Sequence, residues 1–359
     1  MKKWVLYIMS VVFCMGFFAC TAEDDLTDNS ADQGKEVMVS FTLNIPDSRN
    51  ASDTEEGTAW ESYIDEVRIF AFVNDRYKEE VRIISFDEND GNQTRTLFGK
   101  MKSDYDAGKN LELVILTNMK SRGVKEPTLA VDETNKQGLY EQLVFNYTEP
   151  WKFSEGEKKY IPMWGITTKF DIKEDTETYR IYDAGTIYMH RAVAKINITV
   201  AGGEGIEGFI IEEVKLYNVP DKGYCASLNT PSDNYFNKPS FPSDMKALAT
   251  PLPVYTNDNG TEKTRKIENK IYVPEMGWTS ATAYKPMFFY IQINAQVNGN
   301  RKEYNIYMRE QQGDPYTTFD IIRNHIYTIN INSLTIDEFK FTYMAIPWGI
   351  SNVHIPGFD

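Results

Sequence analysis

The chain has 359 residues, with 38 lysines and arginines against 52 aspartates and glutamates and a formal net charge of −14. That balance excludes a nucleic-acid binder, which needs a basic face, and electrostatic attachment to an anionic membrane surface.

The chain opens Met1-Lys2-Lys3, followed by an apolar run from Trp4 to Phe18 and then Ala19-Cys20. A basic start, an apolar stretch too short to span a bilayer and a small residue at the cut site predict a secretory signal over residues 1–19. The cysteine directly after the cut predicts lipid attachment at Cys20. The run Phe17-Phe18-Ala19-Cys20 resembles a bacterial lipobox, with Phe17 and Phe18 in place of the usual leucine and small residue. Residues 20–35 are polar, acidic and almost free of apolar side chains, so they read as a solvated tether. Removing residues 1–19 removes Lys2 and Lys3 and takes the net charge from −14 to −16. With Cys20 acylated, Cys225 has no intrachain partner, and stability rests on packing. What remains is long enough for two ordinary domains.

In Glu36–Ile45, Val37, Val39, Phe41, Leu43 and Ile45 alternate with polar residues and Met38, which predicts a strand with one core face. Pro46 ends it. Arg49 follows, in a polar run from Asp47 to Gly57. A basic residue at an exposed loop tip is where a trypsin-like protease cuts; an ordinary solvated arginine after an ordinary strand reads the same way. Asp65–Val73 and Leu111–Asn118 are apolar on both faces and predict buried strands. Val81–Phe86 and Thr94–Phe98 predict a hairpin around Asn89-Asp90-Gly91. Gln137–Tyr147 places Leu139, Tyr140, Leu143, Val144 and Tyr147 at helical spacing, predicting a short helix, and Tyr160–Thr168 is an apolar island. A domain boundary is expected near Asp183–Gly185, dividing residues 36–184 from 185–359. Beyond it, strands are predicted over His190–Val200, Glu213–Val219, Lys270–Pro274, Pro286–Val297, Glu303–Met308 and Arg323–Leu334. Asn298-Gly299-Asn300 is a hairpin turn. Pro220–Pro253 is too long for a plain connection and reads as an ordered surface excursion. The chain ends FKFTYMAIPWGISNVHIPGFD, residues 339–359, an alternating strand with a Pro-Trp-Gly break. With no strand–helix–strand alternation, the pattern is all-β and supports a sandwich.

The signal ending in Cys20, the first strand followed by Arg49, HRAVAKINITV, VKLYNVP, ENKIYVPE, RNHIYTI and the terminal IPW strand together resemble the fimbrillins, the type V pilin subunits of Bacteroidia. The Arg-x-x-Ala-Lys of Arg191–Lys195 is the most telling element. The resemblance covers nearly the whole mature chain, in the family's order. It implies two tandem transthyretin-like β-sandwich domains and export as a lipoprotein to the outer membrane. It further implies that an arginine-specific surface protease removes the first strand and that the C-terminal strands of a neighbouring subunit fill the groove, a β-augmentation. Mapped here, the removed strand carries Val37, Val39, Phe41, Leu43 and Ile45, the cut follows Arg49, and the donor carries Ala345, Ile346, Trp348, Ile350, Val353 and Ile355. At roughly 1.5–3 kcal/mol per buried apolar side chain, the plug is worth on the order of 10 kcal/mol. Repeated head to tail, the contact does not close and gives a filament. The implied partners are other fimbrial subunits, the protease and a host or bacterial surface ligand. The implied location is the outer membrane and the fimbrium.

No catalytic signature accompanies this. None of His190, His325 and His354 has a second histidine or a cysteine at metal-ligand spacing, and no phosphate loop or nucleophile motif is present. No enzyme activity, cofactor or metal is expected. Asp24-Asp25 and Glu55-Glu56 lie in solvated runs. Trp151, Trp164, Trp278 and Trp348 could line a glycan platform, though aromatic side chains in a sandwich are usually core. The leading reading is a fimbrial stalk subunit. The alternatives are a tip adhesin binding through Pro220–Pro253, a base anchor that keeps its lipid, and a surface glycan-binding or glycan-degrading lipoprotein.

Overall fold

The computed structural model describes residues 36–45, 59–86, 94–102, 110–152, 159–170, 181–202, 205–229, 236, 238–257, 263–277, 289–308, 320–334 and 339–348. Cys20, Arg49, Trp278, His354, Ile350, Val353 and Ile355, and the turn at Asn89–Gly91, lie outside them.

The strands run in chain order β1 (Glu36–Asn44), β2 (Val67–Val73), β3 (Arg76–Glu80), β4 (Arg82–Phe86), β5 (Thr94–Lys102) and β6 (Leu111–Thr117). A five-residue helix α1 (Lys136–Tyr140) precedes β7 (Val144–Asn146), β8 (Met163–Ile166), β9 (Ile181–Tyr188), β10 (His190–Arg191) and β11 (Val193–Val200). Then come β12 (Phe209–Tyr217), β13 (Lys222–Tyr224), β14 (Leu252–Thr256), β15 (Lys266–Pro274), β16 (Tyr290–Val297), β17 (Asn300–Tyr307), β18 (His325–Leu334) and β19 (Phe339–Pro347).

The architecture is all-β. One sheet has the order β4-β5-β1-β9 and another β10-β8-β6-β2-β3. They share a core of Val39, Phe41 and Leu43 from β1, Leu97 and Met101 from β5, Ile187 from β9, and Ile69, Ala71, Leu113 and Ile115 from β2 and β6. The alternate residues Phe70, Phe72, Val114 and Leu116 enter a different cluster, together with β11, β12, β15, β16 and β18. That is why β2 and β6 are apolar on both faces: each is covered on both sides. Two further sheets, β15-β11-β18-β19 and β14-β12-β16-β17, pack around this second cluster.

Turn chemistry follows the residues. Asn74 and Asp75 (φ 49° and 63°) close β2–β3, and Asn298 and Gly299 (φ 49° and 84°) close β16–β17. Two-residue hairpins that match the strand twist need positive φ at both positions.

The structure corrects one expectation. The helix over Gln137–Tyr147 is α1 alone, capped by Asn135, whose side chain accepts from the Gly138 amide at 2.8 Å. Its second half is strand β7, paired with β13. Leu139, Leu143, Phe145 and Tyr147 are all buried, so one apolar run serves a helix and then a strand. The Pro220–Pro253 excursion is itself partly paired: β13 bonds to β7, and a bridge joins Pro220 to Ala247. The boundary expected near Asp183–Gly185 falls inside β9, which pairs with β1 from Ile181 to Tyr188.

Candidate functional site

Two strands carry the expected function, and they are held differently. β1 is interior. It pairs antiparallel with β5 from Glu36↔Lys102 to Asn44↔Thr94 and parallel with β9 from Met38↔Ile181 to Asn44↔Tyr188. Val39, Phe41, Leu43 and Ile45 are fully buried, and Val37 is half-buried against the same core. The alternating apolar face read from the sequence is thus the inward face. Removing β1 would leave a slot between β5 and β9, with unpaired backbone on both walls.

Among the described residues β19 is an edge strand, paired only with β18, from His325↔Pro347 to Leu334↔Phe339. Phe341, Tyr343, Ala345 and Ile346 pack half-buried against the core, while Lys340, Thr342 and Met344 are exposed. At its end the strand changes character. Trp348 is fully buried, and its amide donates to the Asn324 carbonyl at 2.6 Å. Ala345 and Ile346 are thus paired in the chain's own sheet, and Trp348 is buried just past the strand's end.

The seat of Trp348 is built from the Arg-x-x-Ala-Lys motif. Arg191 and Lys195 lie at the start of the β10–β11 segment, and both are almost completely buried. The Arg191 guanidinium stands 4.4 Å and the Lys195 ammonium 4.8 Å from the Trp348 ring centroid. Tyr272 of β15 stacks on the same ring at 6.3 Å. Cations over an indole face are attracted by the ring quadrupole, more so when water is excluded.

Sequence reasoning missed the residue that ties these groups together. Glu61, 1% exposed, accepts from Lys195 Nζ on both carboxylate oxygens (3.0 and 3.1 Å) and from the Tyr272 hydroxyl (2.5 Å). Its carbonyl accepts from Arg191 Nε at 3.0 Å. Asn269 accepts a further bond from Lys195 at 2.8 Å. Burial holds the Lys195 pKa below the usual lysine range, opposed by the Glu61 carboxylate. Glu61 sits between Trp60 and Ser62 in a short irregular segment, so no local pattern marks it as a partner of Lys195.

A second buried pair lies nearby. Arg323 and Glu275 are bonded at 2.6–2.7 Å, and Arg323 also donates to the Cys225 and Tyr224 carbonyls at 3.0 Å. Burial pushes the Glu275 carboxyl and the Cys225 thiol up, which leaves Cys225 an unreactive core thiol. Trp151, Trp164 and Trp348 are buried and form no surface platform. Among the described residues, no three His, Cys, Asp or Glu side chains gather as a metal site. An open groove of about 610 Å³ crosses the outer face of β12, β16 and β17, lined by Glu212, Glu213, Asn294, Arg301 and Glu303 among others.

No curated protein sequence matches the chain. Among solved structures, a candidate cell adhesion protein from Bacteroides eggerthii is 14% identical, with a TM-score of 0.43, covering 87% of this chain and 96% of that one. The fimbrial anchor protein Mfa2 from Porphyromonas gingivalis is 8% identical, with a TM-score of 0.38, covering 87% and 98%. A candidate cell adhesion protein from Bacteroides fragilis is 13% identical, with a TM-score of 0.34, covering 86% and 98%. The family model of the fimbrillin-A associated anchor proteins Mfa1 and Mfa2 matches residues 29–348, and the chain belongs to that family.

Proposed function

We propose that the chain is a surface-exposed fimbrial subunit that joins its neighbours by strand exchange. In this reading the precursor is a lipoprotein held at the outer membrane through Cys20. An arginine-specific surface protease cuts after Arg49, β1 leaves, and the C-terminal strand of another subunit enters the slot. The role is structural and adhesive, and the chain itself carries out no chemistry.

One observation carries the reading. β1 lies between two paired neighbours and buries Val39, Phe41, Leu43 and Ile45. Its loss would expose a complete slot rather than trim an edge, and an incoming strand regains both the main-chain bonds and the apolar pockets. Membership of a family of fimbrillin-associated anchor proteins supports the fimbrial role.

A second reading, the base anchor, is favoured by the burial of Trp348 just past the end of β19. A subunit that accepts a strand while keeping β19 at home would terminate a filament, and it would keep its lipid.

The test combines two variants. Arg49→Ala should give a folded monomer that does not polymerise when incubated with an arginine-specific protease, judged by N-terminal sequencing and electron microscopy. A chain lacking residues 346–359 should be cut, accept a donor and cap wild-type filaments. If Arg49→Ala polymerises like wild type with no alternative cut, strand removal is wrong. If cut wild type accepts a donor but never donates, the anchor reading replaces the stalk.

A further inference from the structure

All three side chains described around the Trp348 ring, Arg191, Lys195 and Tyr272, are held by one residue, Glu61. Two are held through its carboxylate and one through its carbonyl. Ser62, the next residue, accepts a further bond from Arg191 at 3.1 Å. Glu61 comes twelve residues after Arg49 in the sequence and belongs to the short helical turn Ala59–Glu61. A residue near the start of the described chain thus secures its far end.

A second observation concerns the seat itself. Trp348 Nε1 is buried and has no hydrogen-bond partner among the described residues. A buried unsatisfied donor raises the free energy of the docked state relative to the released one. The ring is therefore held by what surrounds it rather than by its indole nitrogen. Asn324 completes the enclosure: its carbonyl accepts from the Trp348 amide, and its side chain accepts from the Arg191 amide at 3.1 Å.

We infer that Glu61 is the latch of the C-terminal strand: by fixing Arg191, Lys195 and Tyr272 around Trp348 it keeps β19 docked, and withdrawal of the Ala59–Ser62 segment releases β19 for donation to another subunit. The inference rests on the strand-exchange reading and adds a coupling to it. Processing on the N-terminal side would loosen the donor on the C-terminal side, so a subunit becomes able to donate as it becomes able to accept. Without Glu61, Lys195 is a buried cation lacking its counter-charge, and the roof over the ring opens. An edge strand can then peel from its end, since only one ladder holds it.

The experiment uses the full uncut chain and reads amide hydrogen exchange. Two variants are compared with wild type. Glu61→Gln removes the charge and keeps the shape. The double variant Glu61→Gln with Lys195→Met removes both charges together, leaving no unpaired buried ion. The expected result in both is exchange at least tenfold faster for the β19 amides, with the β12–β16 ladder and β1 unchanged. Local opening confined to one element shows this selectivity. No change in β19, or an equal change in β11, β18 and β19, would overturn the latch and leave Glu61 an ordinary interior partner. The double variant keeps the test decisive if the single one unfolds. Because the chain is uncut, the outcome does not depend on Arg49. A failed latch with protease-dependent polymerisation leaves strand exchange standing, and a working latch with no such dependence removes strand exchange alone.

Discussion

β1 and β19 are both nine-residue alternating strands, and their contrast organises the molecule. β1 is held by two ladders and by the buried side chains of Val39, Phe41 and Leu43; β19 is held by one ladder, by half-buried side chains and by a polar enclosure at its tip. An interior strand comes out all or none, because both ladders and the whole apolar face must be lost together. An edge strand can open progressively from one end. Under the proposed strand exchange, the first suits a plug that leaves only after cutting, and the second a segment that lets go under control. Burial alone does not separate the two roles; the number of paired neighbours does.

The comparison is broken most strongly by emptying the β1 face. Phe41→Ala should destabilise the uncut chain by about 3–5 kcal/mol, the usual cost of deleting a fully buried phenylalanine. Phe341→Ala on β19 removes a half-buried ring from an edge and should cost clearly less, about 1–2 kcal/mol. Urea unfolding of both variants, followed by circular dichroism, checks this. Equal losses would mean that β19 is as firmly seated as β1.

Acid tests the junction between the two regions. His190 lies directly after β9, the neighbour of β1, and packs edge-on against Phe236 and beside Trp164. Burial, with Arg323 and Arg191 adding repulsion, pushes its pKa down to about 4 from an ordinary value of 6.5. Between those values the unfolded chain binds the proton and the folded chain does not, so stability falls as pH falls. The contribution is complete above pH 6.5 and gone by about pH 4, on the order of 3 kcal/mol in all. Unfolding free energies for wild type and His190→Gln, measured at intervals from pH 7 to pH 4, should converge by that amount. Parallel curves would show that His190 titrates normally.

A smaller effect sharpens the picture of the β1 slot. Gly99 of β5 pairs with Val39, and a Cβ placed there would come within 2.7 Å of Val81 Cγ1 and 3.4 Å of Val39 Cγ2. Gly99→Ala should therefore cost about 1–3 kcal/mol through overpacking. Removing β1 would relieve the contact with Val39 but not that with Val81. The penalty should persist in part in a cut chain, as thermal unfolding of both forms would show.

Much of this was legible in the sequence. The alternation of Val37, Val39, Phe41, Leu43 and Ile45 matches the observed inward face, and the two-faced apolar runs at Ile69–Val73 and Leu111–Leu116 are strands covered on both sides. The hairpin at Asn298-Gly299 follows from its turn residues. Legibility failed where one pattern serves two elements, as in Gln137–Tyr147, and at β3, where Arg76–Glu80 carries only polar and aromatic side chains on an edge. It failed most at the seat of Trp348. The cations of the Arg-x-x-Ala-Lys motif were visible as a motif, but their purpose depends on Glu61, more than 100 residues away in sequence. No periodicity records such a pairing, because a single carboxylate in a short turn looks solvated until its distant partners close over it.

The smallest expected effect defines the outer face of β19. Met344 is 43% exposed, between the exposed Lys340 and Thr342 and the buried strand end. In a free monomer nothing apolar is lost on replacing it, so Met344→Lys should leave stability within about 0.5 kcal/mol of wild type. Under the proposed strand exchange, the same substitution should also be tolerated after β19 is donated. In an acceptor slot like that left by β1, flanked on both sides and packed below, a strand's outer face is only half-exposed, as Met38, Ser40 and Thr42 are here. A lysine tolerates that position by extending its head to water while its stem stays against the sheet. Met344→Lys should therefore neither unfold the monomer nor block assembly, whereas Ile346→Lys, on a side chain that packs against the core, should impair both. Urea midpoints and filament yield for the two variants separate the faces. If Met344→Lys abolishes assembly while sparing the monomer, the outer face of β19 is the one that enters the acceptor, and the inward-facing register assigned to the donor is wrong.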